Sequence, residues 1–306
     1  MLKFEFTVLG SLAAMPDTER HQSSHILNMN EQYYLIDCGE GVQRQMRRYR
    51  FSLQKINQIF VTHLHGDHFY GLFGVISTLS LLGRKAPLKI YAPAPLQRAV
   101  ENHINIFEPN LGYTVECIEV DCSESQKVME NKVMEVWSVP LLHKIPTVGY
   151  LFKEKTPRRN IKPEYIEHYN LDHLEINRLK DGKDVVLDSG ELVSFEKVTR
   201  IPYTPRMFAY LSDTSPSKAA AELIKGANLL YHESTFLEKD KPIAMATGHS
   251  TTKDAAYIAT MAKVKQLILG HFSLRYKGGI EPFKKEGQKY FPNCLIAKEG
   301  QSYKVY

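Results

Sequence analysis

Eight short apolar runs of strand length recur along the chain: FEFTVLG, YYLIDCG, INQIFVT, LKIYAP, VMEVWSV, MFAYLSD, ANLLYHE and KQLILGH. Five of these segments lead into a histidine or a carboxylate. INQIFVT runs directly into HLHGDH, and VMEVWSV continues to His143. MFAYLSD ends at Asp213, ANLLYHE at His232 and Glu233, and KQLILGH at His271. Helix-like segments lie between or after the runs: GVQRQMRRYR, FYGLFGVISTLSLL, SPSKAAAELIKG and TTKDAAYIATMAK. In the third, Ser215 is the predicted cap, with Pro216 at the first helical position. In the fourth, the predicted cap is Thr251 or Thr252. Mixed in this way, strands and helices predict an α/β layered fold with both sheet faces covered. In such folds, functional side chains gather at strand carboxyl ends, where loops converge.

The segment HLHGDH places four donors, His63, His65, Asp67 and His68, within six residues. His63 and His65, two apart, project to the same side of an extended segment. Gly66 lets the chain turn, so Asp67 and His68 face the same space from the loop. Imidazole and carboxylate are ligands for Zn²⁺ and related divalent ions. Together with the other strand ends, the donors exceed what one tetrahedral ion takes. Two ions sharing a carboxylate, roughly 3.5–4 Å apart, account for the number. His21, His25, His103, His168 and His173 stand outside the pattern and read as structural.

Length and composition set bounds. A chain of 306 residues buries a large core as one big domain or two small ones. The net charge of +5, from 39 basic and 34 acidic residues, is too weak a field to recruit nucleic acid without local patches. Leu2, Phe4, Phe6 and Val8 alternate with Lys3, Glu5 and Thr7, which predicts a strand rather than a secretion signal. The longest apolar run, Phe69 to Leu82, is too short to span a membrane. Four cysteines without CxxC spacing read as reduced, cytoplasmic thiols. Residues 153–198 are polar and dense in charge, and they read as an inserted arm projecting from the body. The arm opens with Lys153, Lys155, Arg158, Arg159 and Lys162 against Glu154 alone, either a solvated face or a contact surface for a polyanion.

HLHGDH matches the HxHxDH signature of the metallo-β-lactamase superfamily. The chain resembles the ribonuclease Z branch, the tRNA 3′-processing endonucleases, along most of its length. LIDCGEGVQRQ, GDHFYGLFG, LSDT, YHEST, TGHST and GHFSLRY carry the resemblance, and YHEST with TGHST is its specific combination. One departure is the arm, which lacks the Gly-Pro pair that the family often carries there. The resemblance implies a four-layer αββα sandwich, a single domain over 1–306 with a protruding arm at about 153–198. It implies one metal on His63, His65 and His143, another on Asp67, His68 and His271, and Asp213 bridging them. Two Zn²⁺ per subunit are expected, with Mn²⁺ or Fe²⁺ as alternatives.

The implied reaction removes the 3′ trailer from precursor tRNA by cutting after the discriminator nucleotide. It leaves a tRNA 3′-hydroxyl and a 5′-phosphate on the trailer. Asp67 is the expected proton acceptor and His249 the general acid for the leaving 3′ oxygen, with Glu233 orienting and charging His249. Ser273 and Arg275 are expected phosphate contacts, and Arg158 and Arg159 in the arm are expected RNA contacts. A cytoplasmic homodimer is expected, without membrane attachment. Two rival readings are a metal-dependent phosphodiesterase acting on small esters and a non-catalytic RNA-binding protein on the same fold.

Overall fold

A computed structural model describes residues 3–306; Leu2, the first apolar position of the N-terminal alternation, lies outside them. The chain forms two compact units. One comprises Asn131–Glu135 and Lys153–Arg206, and the other residues 3–130, Val136–Phe152 and Met207–Tyr306.

The larger unit is built on two seven-stranded sheets. The first runs in the order Ser302–Lys304, Phe4–Gly10, Ser24–Met29, Gln32–Cys38, Ile56–Phe60, Leu88–Ala92 and Val115–Glu119. The second runs Cys294–Ile296, Gln266–Gly270, Leu229–Glu233, Met207–Leu211, Val148–Glu154, Met134–Pro140 and Lys127–Glu130. All eight strand-like runs of the sequence are strands here. Aromatic side chains join the inner faces: Phe6 meets Phe208 at 4.7 Å between ring centroids, and Phe60 meets Phe152 at 5.3 Å. The outer face of the first sheet is covered by Val42–Arg48, Gly71–Leu81 and Pro95–Phe107, whose apolar sides share one core with Leu35, Ile59 and Ile90. Lys218–Leu223, Thr252–Met261 and Glu281–Tyr290 belong to the second sheet's side. The order helix, sheet, sheet, helix is the expected αββα sandwich.

Helix Gly71–Leu81 shows how the pattern works. Leu72, Val75, Ile76 and Leu79 recur at the spacing of one helical face, and all four are fully buried. Each contributes about 1.5–3 kcal/mol on burial. Gly71 lets the helix start against the end of strand Gln32–Cys38. A Cβ at that position would lie 2.1 Å from the Gly39 carbonyl oxygen.

Some local expectations shift. Phe4–Gly10 has no wet face beyond Glu5, because it lies between two neighbouring strands inside a sheet covered on both sides. Its Thr7 hydroxyl pairs with that of Ser302 at 2.7 Å. Strand Ser24–Met29 is buried at every position, yet His25 and Asn28 hide it in the sequence. The N-cap of Lys218–Leu223 is Ser217, which accepts from the Ala220 N–H, rather than Ser215. Ser215 is engaged elsewhere, donating its N–H to the Leu142 carbonyl. Thr251 is the cap of Thr252–Met261, in a reciprocal capping box with Asp254.

The smaller unit contains helices Pro163–Tyr169, His173–Lys180 and Phe195–Val198 with two short strand pairs. Leu171, Leu179, Val185, Val193 and Val198 form a small core of its own. These residues are scattered among charged neighbours, so no apolar run marks them in the sequence. Glu154 and Arg206 close the unit with a buried bidentate pair, Nε to Oε2 at 2.8 Å and Nη2 to Oε1 at 2.6 Å. Removing the guanidinium strands a buried carboxylate, so Arg206→Ala is expected to cost about 3 kcal/mol in chemical denaturation. A loss below about 1 kcal/mol would show that the pair is dispensable. Among the described residues, no helix is long and apolar enough to cross a membrane.

Candidate metal centre

The parallel strands of both sheets bring their carboxyl ends to one place. HLHGDH follows Ile56–Phe60, Asp213 follows Met207–Leu211, Glu233 ends Leu229–Glu233, and His271 follows Gln266–Gly270. Asp213 and His271 have left-handed backbones, φ +59° and +58°, as does Asp37 at +54°. Non-glycine residues hold this conformation at a cost of order 1–3 kcal/mol, and such strain concentrates at functional sites.

Two donor groups form around Asp213. His63, His65, His143 and Asp213 have ligand atoms mutually within 4.8 Å, as do Asp67, His68 and His271. Asp213 divides its oxygens between them. Oδ2 lies 3.4 Å from His63 Nε2 and 3.9 Å from His143 Nε2. Oδ1 lies 3.3 Å from His68 Nε2 and 3.1 Å from His271 Nε2. In a tetrahedral site with bonds of about 2.0–2.1 Å, neighbouring donors are about 3.3 Å apart. The separations bracket that value, including 2.9 Å from His63 Nε2 to His65 Nδ1 and 3.5 Å from Asp67 Oδ2 to His68 Nε2 and to His271 Nε2. The donor set therefore fits two cations sharing one carboxylate.

The remaining ring nitrogens fix the tautomers. His143 Nδ1 donates to the Gly248 carbonyl at 2.8 Å, and His271 Nδ1 to Thr235 Oγ1 at 2.9 Å. His63 Nδ1 donates to Thr62 Oγ1 at 3.0 Å, and His68 Nδ1 to Asp37 Oδ2 at 2.8 Å. Each bond turns Nδ1 away from the centre, leaves Nε2 facing it and holds the ring plane. Asp37 is wholly buried and also accepts from the Thr62 N–H and the Tyr210 hydroxyl. Neither Asp37 nor the two threonines stood out in the sequence. The one available signal for Asp37 was a carboxylate ending the apolar run YYLID without a basic neighbour.

The carboxylates here are held ionised. Burial opposes the charge on Asp213, but the imidazoles of His271, His68 and His63 outweigh it and hold its pKa well below the ordinary range. Asp67 behaves likewise beside His68 and His271, and its Oδ2 accepts the Ala14 N–H at 2.8 Å. Burial opposes a charge on His68 too, but Asp213, Asp37 and Asp67 prevail and hold its pKa well above the ordinary range, so a cation entering this site would displace a proton.

Beside the two groups stands a third pair. Glu233, fully buried, accepts from the Thr214 and Thr235 N–H groups, from the Thr235 hydroxyl, and from His249 Nδ1 at 2.8 Å. Burial works against a charged His249, but the Glu233 charge and hydrogen bond prevail and push its pKa up to about 9. His232, the other donor on that strand end, turns away and donates Nδ1 to the Glu233 carbonyl.

A cavity of about 840 Å³ opens over the centre, lined among others by His65, Asp67, His143, Asp213, His249 and His271. Ser273 and Arg275 line it as well. Arg158 and Arg159 belong to the smaller unit and are engaged within it. Arg158 donates Nε to Asp181 at 2.7 Å, while Arg159 donates Nε to Thr199 at 2.6 Å and lies over the Phe195 ring.

A family model described as anti-Pycsar protein Apyc1 matches residues 4–129. The chain is 40% identical over 305 residues to the ribonuclease Z of Parabacteroides distasonis, covering 100% of both chains. It is 40% identical over 299 residues to that of Porphyromonas gingivalis strain W83, covering 98% of both. Among solved structures, the short form of human tRNase Z superposes with a TM-score of 0.71 at 24% identity, covering 99% of both chains. The metallo-β-lactamase fold protein YhfI of Bacillus subtilis superposes with a TM-score of 0.68 at 17% identity, covering 98% of this chain and 99% of YhfI. Identity at that level along the whole chain has one consequence: the chain belongs to the ribonuclease Z family.

Proposed function

We infer that this protein is a metal-dependent endoribonuclease that removes the 3′ trailer from precursor tRNA, cutting after the discriminator nucleotide. Identity of 40% to curated ribonuclease Z proteins across the full chain carries the reading. The tRNA is left with a 3′-hydroxyl and the trailer with a 5′-phosphate.

The proposed holders are His63, His65 and His143 for one cation, Asp67, His68 and His271 for the other, and Asp213 for both. Two Zn²⁺ suit an all-imidazole and carboxylate set, which also accepts Mn²⁺ or Fe²⁺. Bound cations supply charge neutralisation at the phosphate and a nucleophile at neutral pH. Asp67, held through Oδ2 by the Ala14 N–H, takes the proton of the attacking water. His249, with Nδ1 committed to Glu233, presents Nε2 to the departing 3′ oxygen and gives it a proton. Glu233 has all its bonds made inside the protein, so it orients and charges His249 without itself reaching substrate. Ser273 and Arg275 meet the phosphate backbone from the cavity wall.

The 153–198 arm, with Arg158 and Arg159, is the proposed RNA-holding element. Partner and location readings complete the proposal: a homodimer acting in the cytoplasm, where precursor tRNA is processed. Exposed Leu81, Ile106 and Phe107 at the ends of two helices on the first sheet support a subunit contact, and all four cysteines are free thiols. Sedimentation equilibrium returning a monomer at micromolar concentration would remove the dimer from the proposal.

The test is a cleavage assay on precursor tRNA with purified protein of known metal content. Wild type is expected to release the trailer in one cut, and chelation followed by dialysis to abolish release until metal is restored. Deleting residues 155–195 is expected to weaken precursor cleavage by about 10-fold or more while sparing hydrolysis of a small phosphodiester. Fully metallated protein that never cuts precursor tRNA would overturn the ribonuclease reading.

A further inference from the structure

Tyr70 is out of place for a core aromatic. It follows the short helix Gly66–Phe69 directly, two residues after a metal-donor histidine, and is 61% exposed. It also lines the cavity above the metal centre. Its hydroxyl makes no hydrogen bond to another described residue, so no buried polar partner accounts for the position. The ring is nevertheless held. A Cβ on Gly66 would lie 2.3 Å from Tyr70 Cε2, so the ring packs flat against a backbone with no side chain in the way. Phe69 supports it edge-on, with ring centroids 4.9 Å apart. Elsewhere on the cavity wall stand Lys144 and Arg275, both exposed cations. A fixed π-face and exposed cations lining one cavity are the combination by which proteins hold single-stranded nucleic acid.

We propose that Tyr70 is a stacking platform for the base of a nucleotide flanking the scissile phosphate. The inference rests on the ribonuclease reading and deepens it: the cations hold the backbone, and Tyr70 sets how the strand lies across the centre. Every base has a π-face, so the platform tolerates sequence, as an enzyme acting on many precursors requires. Tyr70 touches no reacting atom; it is a positioning residue. Stacking is present before and during reaction, so its loss falls on KM more than on kcat.

The experiment compares wild type with Tyr70→Ala, Tyr70→Leu, Tyr70→Phe and Tyr70→Trp on precursor tRNA, with metal content measured for each. Tyr70→Ala and Tyr70→Leu are expected to raise KM by about 10-fold with kcat little changed. Tyr70→Phe and Tyr70→Trp keep the wild-type value. Leucine still covers Gly66, so Tyr70→Leu separates stacking from packing. A second arm places an abasic nucleotide at the discriminator or at the first trailer position. At the stacked position, wild type loses as much as Tyr70→Ala does on intact RNA, and Tyr70→Ala loses nothing further. Wild-type KM in Tyr70→Leu, or losses that multiply at both abasic positions, overturns the proposal. If wild type cuts precursor and Tyr70→Leu is unaffected, only this inference fails. If wild type does not cut, the ribonuclease reading fails first.

Discussion

Replacing His249 by alanine lowers kcat on precursor tRNA by about 10²- to 10⁴-fold, the range set by a general acid, and leaves metal content and KM near wild type. The expectation follows from where the side chain's bonds go. Nδ1 is committed to Glu233 at 2.8 Å, and Glu233 is fully buried with its other partners all within the protein. The imidazole is therefore charged and aimed before substrate arrives, while Nε2 is left for the leaving oxygen. An RNA 3′ oxygen is a poor leaving group, so losing its proton source falls on turnover. The sign of the pH dependence is fixed as well. The partner carboxylate raises the His249 pKa to about 9, so the acid form is present below that pH and is lost as pH rises through it. Wild type should show that alkaline decline and His249→Ala should not. The competing role is specific, because His249 also lies within 4.8 Å of the ligand atoms of Asp213 and His271. A variant that loses metal in step with activity would make His249 a ligand instead of an acid.

The second large effect is expected at Asp213. Asparagine keeps the shape of the side chain but replaces one oxygen by an amide nitrogen that does not ligate. Because Oδ1 and Oδ2 face different donor groups, the change unbalances one group and removes the shared charge from both. Asp213→Asn should bind less than the full metal complement after dialysis. Its precursor cleavage should fall on the order of 10⁴-fold, the scale of losing several kcal/mol of charge stabilisation. Mass-spectrometric metal analysis beside the cleavage assay reads both. Retention of two metals per subunit with near-normal turnover would rule out the shared-carboxylate arrangement. Asp37→Asn is the milder companion, since it acts through the orientation of His68 directly and of His63 by way of Thr62, and it should weaken metal affinity by about 10- to 100-fold.

What was legible in the sequence is what local pattern encodes. Apolar runs of strand length mark strands because burial alone selects them, and residues that end such runs must emerge at a sheet edge. That was sufficient to pick out His63, His65, Asp67, His68, His143, Asp213, His232, Glu233 and His271 as candidates for one constellation, of which His232 turns away. Strands whose burial comes from both sides while their sequence is polar, as in SHILNM, were not legible, because sheet coverage is a tertiary fact. The small core of the 131–135 and 153–206 unit was hidden for the same reason, its five aliphatic residues being isolated among charges.

Donor types, their spacing and the layered α/β class each depend on residues near one another in the chain, and so could be read from local pattern. Folding settles the rest: which oxygen of Asp213 faces which donor group, that Asp37, Thr62 and Thr235 orient the histidine rings, that His232 turns away, and that Tyr70 stands bare over Gly66. Asp37 reaches His68, Thr235 reaches His271 and Asp213 reaches both donor groups only because strands far apart in sequence lie side by side. Tyr70 and His232 have near neighbours as partners, but the direction each takes is set by backbone angles and packing that residue types do not record.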